Sequence, residues 1–551
     1  MNRSPAATVV LHWLIVAAVV TNFLTGLRIA SDAIDAQLAT SVSGWLPQGR
    51  VFFWHLVSGF LLLALFAGFL VFQVSSGLLR RFRLPPDWFR QLLRGKAGCV
   101  AVLDKLSYLA LLLVFLLTAI TGLMNYLLPS MQGSSLLERF HYALAWFYPA
   151  FLVVHVGLHL AKGGFRQLLS VILPCRRKLA SGLIALTVVA ILALSGPLLN
   201  RLAPATLVIR QVAQAPAIDG VPEDDAWRAG TPVTVLTSNG IHLDDGVTPV
   251  SVQAVRDSEF VYFLFQWPDA TRSQKHLPLV KTENGWRVAQ TDFLRANEDS
   301  YYEDKFAVAL SVDNPLAAAT SIHLGRQPLG GQPAAFAERG LHYTSDNSLM
   351  DLWQWKSVRS NPNRQADDNY LGPPWQAPPQ TPRRFSRDRD GNYPRFTAGY
   401  QKDPPVSWNG YAMNWEVFKE GEVKPRRLPK DPDDLKVLGS QNLSPDVSDD
   451  GDWWMEWNDT KPYLPERDHY SIGSVLPSVL IQEPMAWDRG QVQAEGTWVD
   501  GVWRLEMKRL LDTQSEYDVA IGDGVYLWVA VFDHTQTRHS RHLLPVRIRM
   551  P

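Results

Sequence analysis

Cysteine is nearly missing: two, Cys99 and Cys175, occur in 551 residues. That leaves no disulfide framework and no C-x-x-C pair, and without C-x-x-C-H it excludes covalently attached c-type haem. Net charge is missing too. The 53 Lys plus Arg balance 53 Asp plus Glu, so no basic excess points to nucleic acid. No low-complexity tract or internal period appears. No Ser-His-Asp or metal-hydrolase constellation stands out, and the pair Asp244-Asp245 reads as a turn. The near-zero mean hydropathy averages two unlike halves: long apolar stretches up to about Leu199, then a polar region rich in Trp, Pro, Asp and Arg beyond Arg210.

Five apolar stretches have the ~20 residues needed to cross a bilayer core. They are Val9–Ala30, Val51–Val74, Leu106–Leu128, Phe140–Ala161 and Leu179–Leu199. The first has an internal His12 and no small-residue cleavage site, so it reads as a retained span rather than a signal peptide. The loop Ser75–Lys105 carries Arg80, Arg81, Arg83, Arg90, Arg94, Lys96 and Lys105, and the segment after the fourth span carries Lys162, Arg166, Arg176, Arg177 and Lys178. The alternate loops hold one basic residue each, Arg50 and Arg139. The positive-inside rule then places the N-terminus in the cytoplasm and everything after Asn200 in the periplasm of a bacterial inner membrane. Both cysteines fall on the reducing side.

An imidazole inside hydrocarbon is costly unless something occupies its nitrogens. On this topology His12 and His155 lie toward the cytoplasmic side, His55 and His141 toward the outer side. His141 and His155 are 14 positions apart, almost four turns and ~21 Å along one helix face. Each side therefore has one His from the fourth span and one from another span. Two stacked bis-imidazole sites in a helical bundle are the reading, and haem iron accepts two neutral imidazoles. His159, one turn past His155, is an alternate ligand or a propionate partner. A histidine proton relay in a transporter is the competing reading, but no Asp or Glu lies within the first four spans so drawn.

Leu11-His12-Trp13 with Thr25-Gly26 in span one, His55 in span two, "TGLM" ending span three and the two span-four histidines resemble the bacterial di-haem cytochrome b-561 family and the related cytochrome b subunits of hydrogenases and formate dehydrogenases. The resemblance covers about 1–164. It implies two haems b, with His12, His55, His141 and His155 at the family's ligand positions.

Beyond Arg210, short runs alternate apolar and polar residues between turn signals, as in "EFVYFLFQWPD" and "GVYLWVAVFDH". That period predicts an all-β antiparallel sandwich. The opening "APAIDGVPEDDAWRAG" resembles the start of family-nine carbohydrate-binding sandwiches. "YYEDKFAVALSVD", "LMDLWQWKSVRS", "DGVWRLEMKRLL" and "VYLWVAVFDHTQTRHSRH" resemble the haem-binding domain of the ethylbenzene dehydrogenase γ subunit and of dimethyl sulfide dehydrogenase-like γ subunits. Those domains hold one b haem between a Met and a Lys. Here His323 in "SIHLGRQP" stands where the Met is expected and His542 in "RHSRHLL" where the Lys is expected, with His539 and His342 as alternates. The resemblance thus implies a third haem, with bis-His ligation in this chain. A Pro/Arg/Asp/Asn-rich stretch, about 361–468, has too little apolar periodicity for core strands and reads as a long insertion.

The expected organisation is a four-helix di-haem cytochrome b membrane domain over 1–164, a linker and fifth transmembrane helix over 165–204, and an exported sandwich over 205–551. The expected function is electron transfer between the quinone pool and a periplasmic redox protein or enzyme subunit, with membrane lipid as surroundings and no substrate chemistry at fully ligated iron. A part in a larger quinone-linked oxidoreductase is compatible with that. The alternative is a haem-containing membrane anchor that displays a sugar- or ligand-binding sandwich, for which the Trp cluster "DWWMEW" is the candidate surface.

Overall fold

The computed structural model describes residues 4–31, 37–93, 95–127, 135–169, 174–175, 179–202, 205–290, 300–312, 344, 347–373, 400–402, 410–419, 422–431, 442–445 and 447–551. His323 and His342 lie outside them. The chain divides into two compact units, one of helices within Met1–Ala203 and one of strands over Pro204–Pro551.

In the helical unit, uninterrupted runs of Leu, Val, Phe and Ala form helices at Ala6–Ala30, Val51–Ser75 and Lys96–Leu127. The fourth span comprises Ser135–Ala145 and Phe147–Leu169, and Leu179–Leu202 forms a fifth helix. Among the described residues, four helices are long and apolar enough to cross a membrane; the apolar part of the fifth is the shorter Ala180–Ala193. Leu11, Leu65, Phe72, Phe115 and Ala185 bury together in the bundle interior, while Leu14, Leu113, Val153 and Ile191 point outward. Apolar on the outside as well as the inside is the pattern that hydrocarbon solvates.

Two features differ from the sequence reading. The fourth span is not one continuous helix: it breaks at Trp146, because Pro149 has no N–H for the Ala145 carbonyl four residues earlier and its ring crowds that turn. The third helix begins ten residues before its apolar run, at Lys96, and so contains Asp104. A carboxylate does lie in the helical span after all, held by Lys162.

The strand unit is a two-sheet sandwich. One seven-stranded sheet runs, edge to edge, through Tyr400–Lys402, Asp367–Leu371, Met350–Lys356, Lys305–Ser311, Tyr526–Phe532, Val546–Arg549 and Ala205–Val208. The facing sheet runs through Gln493–Val499, Val502–Leu510, Phe260–Pro268, Thr248–Arg256 and Arg210–Gln211, with Val233–Thr237 also paired to Thr248–Arg256. Pairing is antiparallel apart from two short parallel contacts. Alternate residues meet across the ladders, Phe265 opposite Leu505 and Trp267 opposite Trp503, Phe306 opposite Trp355 and Val308 opposite Val529. Their inward side chains fill one core. A five-stranded satellite sheet, Trp415–Lys419, Glu422–Pro425, Gly285–Val288, Leu279–Thr282 and Val475–Leu476, closes over Trp286 and Trp453.

The stretch expected to lack core strands supplies one. Asp367–Leu371 is an interior strand of the seven-stranded sheet, invisible to apolar periodicity because its buried positions are polar. Asp367, fully buried, accepts hydrogen bonds from Arg489 (Nε to Oδ1, 3.0 Å) and pairs with Lys356. Removing the carboxylate would take a counter-charge from two buried cations, which costs about 3–5 kcal/mol. Asp367→Ala should therefore lower the thermal midpoint of the strand unit by many degrees in a tryptophan-fluorescence melt; a midpoint within a degree of wild type would show that the pair is not a structural tie.

Candidate functional site

The helical unit brings its four predicted histidines together in two pairs. The His12 and His155 ring centres are 6.4 Å apart with planes at 34°; those of His55 and His141 are 6.5 Å apart with planes at 80°. Metal–imidazole bonds of about 2 Å, with about 1.1 Å from each nitrogen to its ring centre, would separate two axial imidazoles by about 6.3 Å. Both pairs match that spacing. His55 lies against Gly26, fourteen positions along the first helix from His12, so the pairs are about 21 Å apart along it.

Two Thr-Gly dipeptides build the His55/His141 pair. Thr25 Oγ1 donates to the Thr21 carbonyl (2.7 Å) and lies 3.2 Å from His55 Nδ1, which also faces the Asn22 carbonyl at 3.1 Å. Thr121 Oγ1 donates to the Leu117 carbonyl (2.9 Å) and lies 2.8 Å from His141 Nδ1. A carbonyl can only accept, and each hydroxyl has one proton, already directed to a backbone oxygen. The Asn22 carbonyl therefore fixes the hydrogen of His55 on Nδ1 and leaves its Nε2 as a lone pair, and with the Thr121 proton on the Leu117 carbonyl His141 would take the same tautomer. The glycines make room: a Cβ on Gly26 would come within 3.1 Å of His55 Cε1, and one on Gly122 within 3.1 Å of His141 Cε1. Sequence reasoning saw both Thr-Gly pairs as marks of resemblance and missed that they orient the imidazoles. The repeat Thr-Gly-Leu, at 25–27 and 121–123, was the available signal.

The His12/His155 pair has aromatic walls. Phe151 stacks on His155 at 5.2 Å and the Tyr108 ring meets it edge-on at 5.5 Å. His159 sits beside them, its Nε2 3.3 Å from the Tyr108 hydroxyl, and one turn away Lys162 pairs with Asp104. Those four polar groups lie at the end of the bundle nearest His12 and His155.

Such a donor set suits haem iron. Each pair offers two neutral imidazoles at axial spacing, and burying them without a ligand would be costly. The prokaryotic cytochrome b561 family matches residues 3–174, and the ethylbenzene dehydrogenase family matches residues 224–543. The chain belongs to the ethylbenzene dehydrogenase family. Its helical part is a membrane segment of cytochrome b561 type, a family of membrane electron-transfer proteins that implies haem b. Two solved structures of a family 9 carbohydrate binding module from Caldicellulosiruptor kristjanssonii, one in complex with glucose and one with cellotriose, cover 62% of this chain and 95% and 93% of their own. Their identities are 10% and 9% and both TM-scores are 0.22, a likeness that carries no argument. A search of curated proteins finds no match.

In this ethylbenzene dehydrogenase family member, His542 and His539 are the two expected strand-unit ligands that lie among the described residues. His542 is buried, its Nδ1 donating to the Leu544 carbonyl (2.7 Å) and its Nε2 accepting from the Val529 N–H (2.9 Å). Both nitrogens are occupied, so no lone pair faces a metal in this geometry. His539 Nδ1 donates to the Ser540 carbonyl (3.0 Å), and its ring rests on Phe532. Lys356 is tied to Asp367. Of the tryptophans proposed as a sugar platform, Trp453 is buried in the satellite core, while Trp457 is exposed with the Arg427 guanidinium 4.2 Å from its ring centre. Sequence reasoning passed over the buried His276, which faces Glu303 at 3.4 Å, and His534, next to Asp533 and stacked on His242 at 3.7 Å. Burial, then the nearby Arg359, Lys305 and Lys356 charges, hold the His276 pKa well below its usual value.

Burial likewise pushes the His542 pKa down to about 4, against a smaller upward pull from the Leu544 carbonyl. The unfolded chain takes up this proton near pH 6.5, the folded chain only near pH 4. Its contribution is therefore complete above pH 6.5 and is lost as pH falls through that window, about 2 kcal/mol of it by pH 5. In denaturant titrations at pH 7 and pH 5, His542→Gln should lose about that much less stability than wild type across the interval. Parallel losses would mean that His542 does not titrate as described.

Proposed function

We propose that the protein is a transmembrane electron-transfer cytochrome b, joining the quinone pool to a redox partner on the far side of the bacterial inner membrane. The observation that carries this reading is the pair of imidazole couples, 6.4 and 6.5 Å between ring centres, at two depths in one apolar bundle. His12 with His155 and His55 with His141 would each hold one haem b. When bound, each haem would supply a one-electron ferric–ferrous couple, held by the two histidines of its pair. The residues do the rest. Thr25, Asn22 and Thr121 fix the imidazole tautomers, Gly26 and Gly122 leave room for the rings, and the apolar wall excludes water.

The basic loops put the N-terminus and the His12/His155 pair toward the cytoplasm and the strand unit in the periplasm. We assign the membrane domain to 1–164, the linker and fifth helix to 165–204, and the exported domain to 205–551. Tyr108, His159, Asp104 and Lys162 form the polar group closest to the His12/His155 pair, and they are suited to exchange protons with a quinone whose electrons pass through that pair. Membership of the ethylbenzene dehydrogenase family supports a third haem b in the strand unit. With His542 committed to backbone, its ligands come from His539 or from the residues His323 and His342.

Haem per polypeptide, measured by pyridine haemochrome on the full chain, tests the reading. His141→Ala and His12→Ala should each lose one equivalent of haem b, and His542→Ala none. Wild-type protein without haem b, or unchanged haem in both membrane variants, would overturn it.

A further inference from the structure

The connection between the second and third membrane helices carries charge of almost one sign. Across 75–103 the sequence has six basic residues and one carboxylate, Asp87. Its described part, 76–93, is folded onto the start of the third helix. Leu79–Phe82 makes a single helical turn, the Pro85 carbonyl accepts from the Trp88 N–H (3.0 Å), and Trp88–Leu93 is a short helix. The Phe82 ring meets Tyr108 edge-on at 5.2 Å, and Lys105 Nζ donates to the Arg83 carbonyl (2.9 Å). The Gln91 carbonyl lies so near Gly98 that a Cβ there would come within 2.5 Å of it. Those contacts hold the segment in place, and none of them uses one of its basic side chains.

Two sets of side chains are left facing outward. Arg80, Arg83, Arg90 and Lys96 are exposed, and among the described residues no carboxylate forms an ion pair with any of them. Asp87 instead accepts from Gln91 Nε2 (2.9 Å). The other set is apolar: Phe89 is 62% and Leu93 74% exposed, with Leu79 and Trp88 also open. Phe89 and Leu93 are four positions apart and share one face of the short helix, while Arg90 lies about a quarter-turn round from it. Large apolar groups beside unpaired cations are poorly placed in water. At the end of two membrane helices they meet acyl chains and headgroups instead.

We propose that 76–93, with Lys96, is a binding surface for anionic phospholipid. Arg80, Arg83 and Arg90 meet the headgroup phosphates, and Phe89 and Leu93 lie among the acyl chains. Charge complementarity selects an anionic lipid over a neutral one, and the apolar face selects a lipid over a free anion. The site goes beyond electron transfer and needs no haem. It lies one ring from Tyr108, which itself meets His155, so the lipid braces the chain next to the His12/His155 pair.

Native mass spectrometry of the full-length protein in neutral detergent tests this, with phosphatidylglycerol and phosphatidylcholine of the same chains as probes. Phosphatidylglycerol should bind in preference. The Arg80→Gln/Arg83→Gln/Arg90→Gln variant breaks none of the contacts that hold the segment, so it should fold with its haem content unchanged. It should weaken the tightest phosphatidylglycerol binding on the order of 100-fold. Arg176→Gln/Arg177→Gln/Lys178→Gln makes an equal charge change in the other basic segment and should leave that binding intact. Phe89→Ser/Leu93→Ser should weaken it with no change of charge, and a large excess of inorganic phosphate should not displace the lipid. Equal binding of the two lipids, the same loss in both triple variants, full binding in Phe89→Ser/Leu93→Ser, or displacement by phosphate would each overturn the proposal.

Discussion

Four imidazoles inside an apolar bundle are the constraint from which the membrane part of this protein follows. A histidine there is tolerated only when both nitrogens have somewhere to go. For His55 and His141 the protein satisfies Nδ1 from within, using a threonine hydroxyl whose own proton is spent on the preceding turn of its helix. That leaves Nε2 as an acceptor, and the two ring centres are 6.5 Å apart, the separation that a metal and its two bonds would need. The glycine after each threonine lets the ring sit against the neighbouring helix. Helix packing, side-chain tautomer and cofactor choice are thus one problem solved twice with the same dipeptide.

The strand unit manages buried polarity by other means. Its core is aromatic and aliphatic, with Trp267, Trp353, Trp355 and Trp503 between the sheets, but around it run buried ion pairs, Arg489 and Lys356 on Asp367 and Arg509 on Asp351, and the largely buried pair of Arg359 on Glu303. Such pairs add little net stability over an apolar core, yet breaking one is costly, so they fix which strands lie side by side. The Asp269/Asp304/Asp533 group departs from this habit because, among the described residues, no Lys or Arg pairs with it. Burial and mutual repulsion push the Asp269 and Asp304 carboxyls well above the usual carboxylate range.

Much of this was legible in the sequence because hydropathy and period-two alternation report directly on what a segment is dissolved in. The spans, the sandwich and the pairing of His12 with His155 and His55 with His141 all follow from such patterns. What escaped was decided by pairwise contacts that one-dimensional text does not show. Asp104 was left outside the third span because the helix continues past its apolar run, where Lys162 makes a carboxylate tolerable. The strand Asp367–Leu371 was read as part of an insertion because its buried positions are charged and compensated from distant residues. Pro149 announced the break at Trp146, although the even hydropathy on both sides concealed it. His542 has the sequence setting of a ligand, but two backbone groups claim its nitrogens.

The central claim is that both membrane sites bind iron through two histidines, and low-temperature electron paramagnetic resonance of the ferric full-length protein tests it most directly. The account expects low-spin haem only, and two distinct low-spin signals from the membrane pairs, because their imidazole planes meet at 34° in one and 80° in the other. A substantial high-spin signal that shifts on adding an exogenous ligand would mean an open iron position and would contradict it.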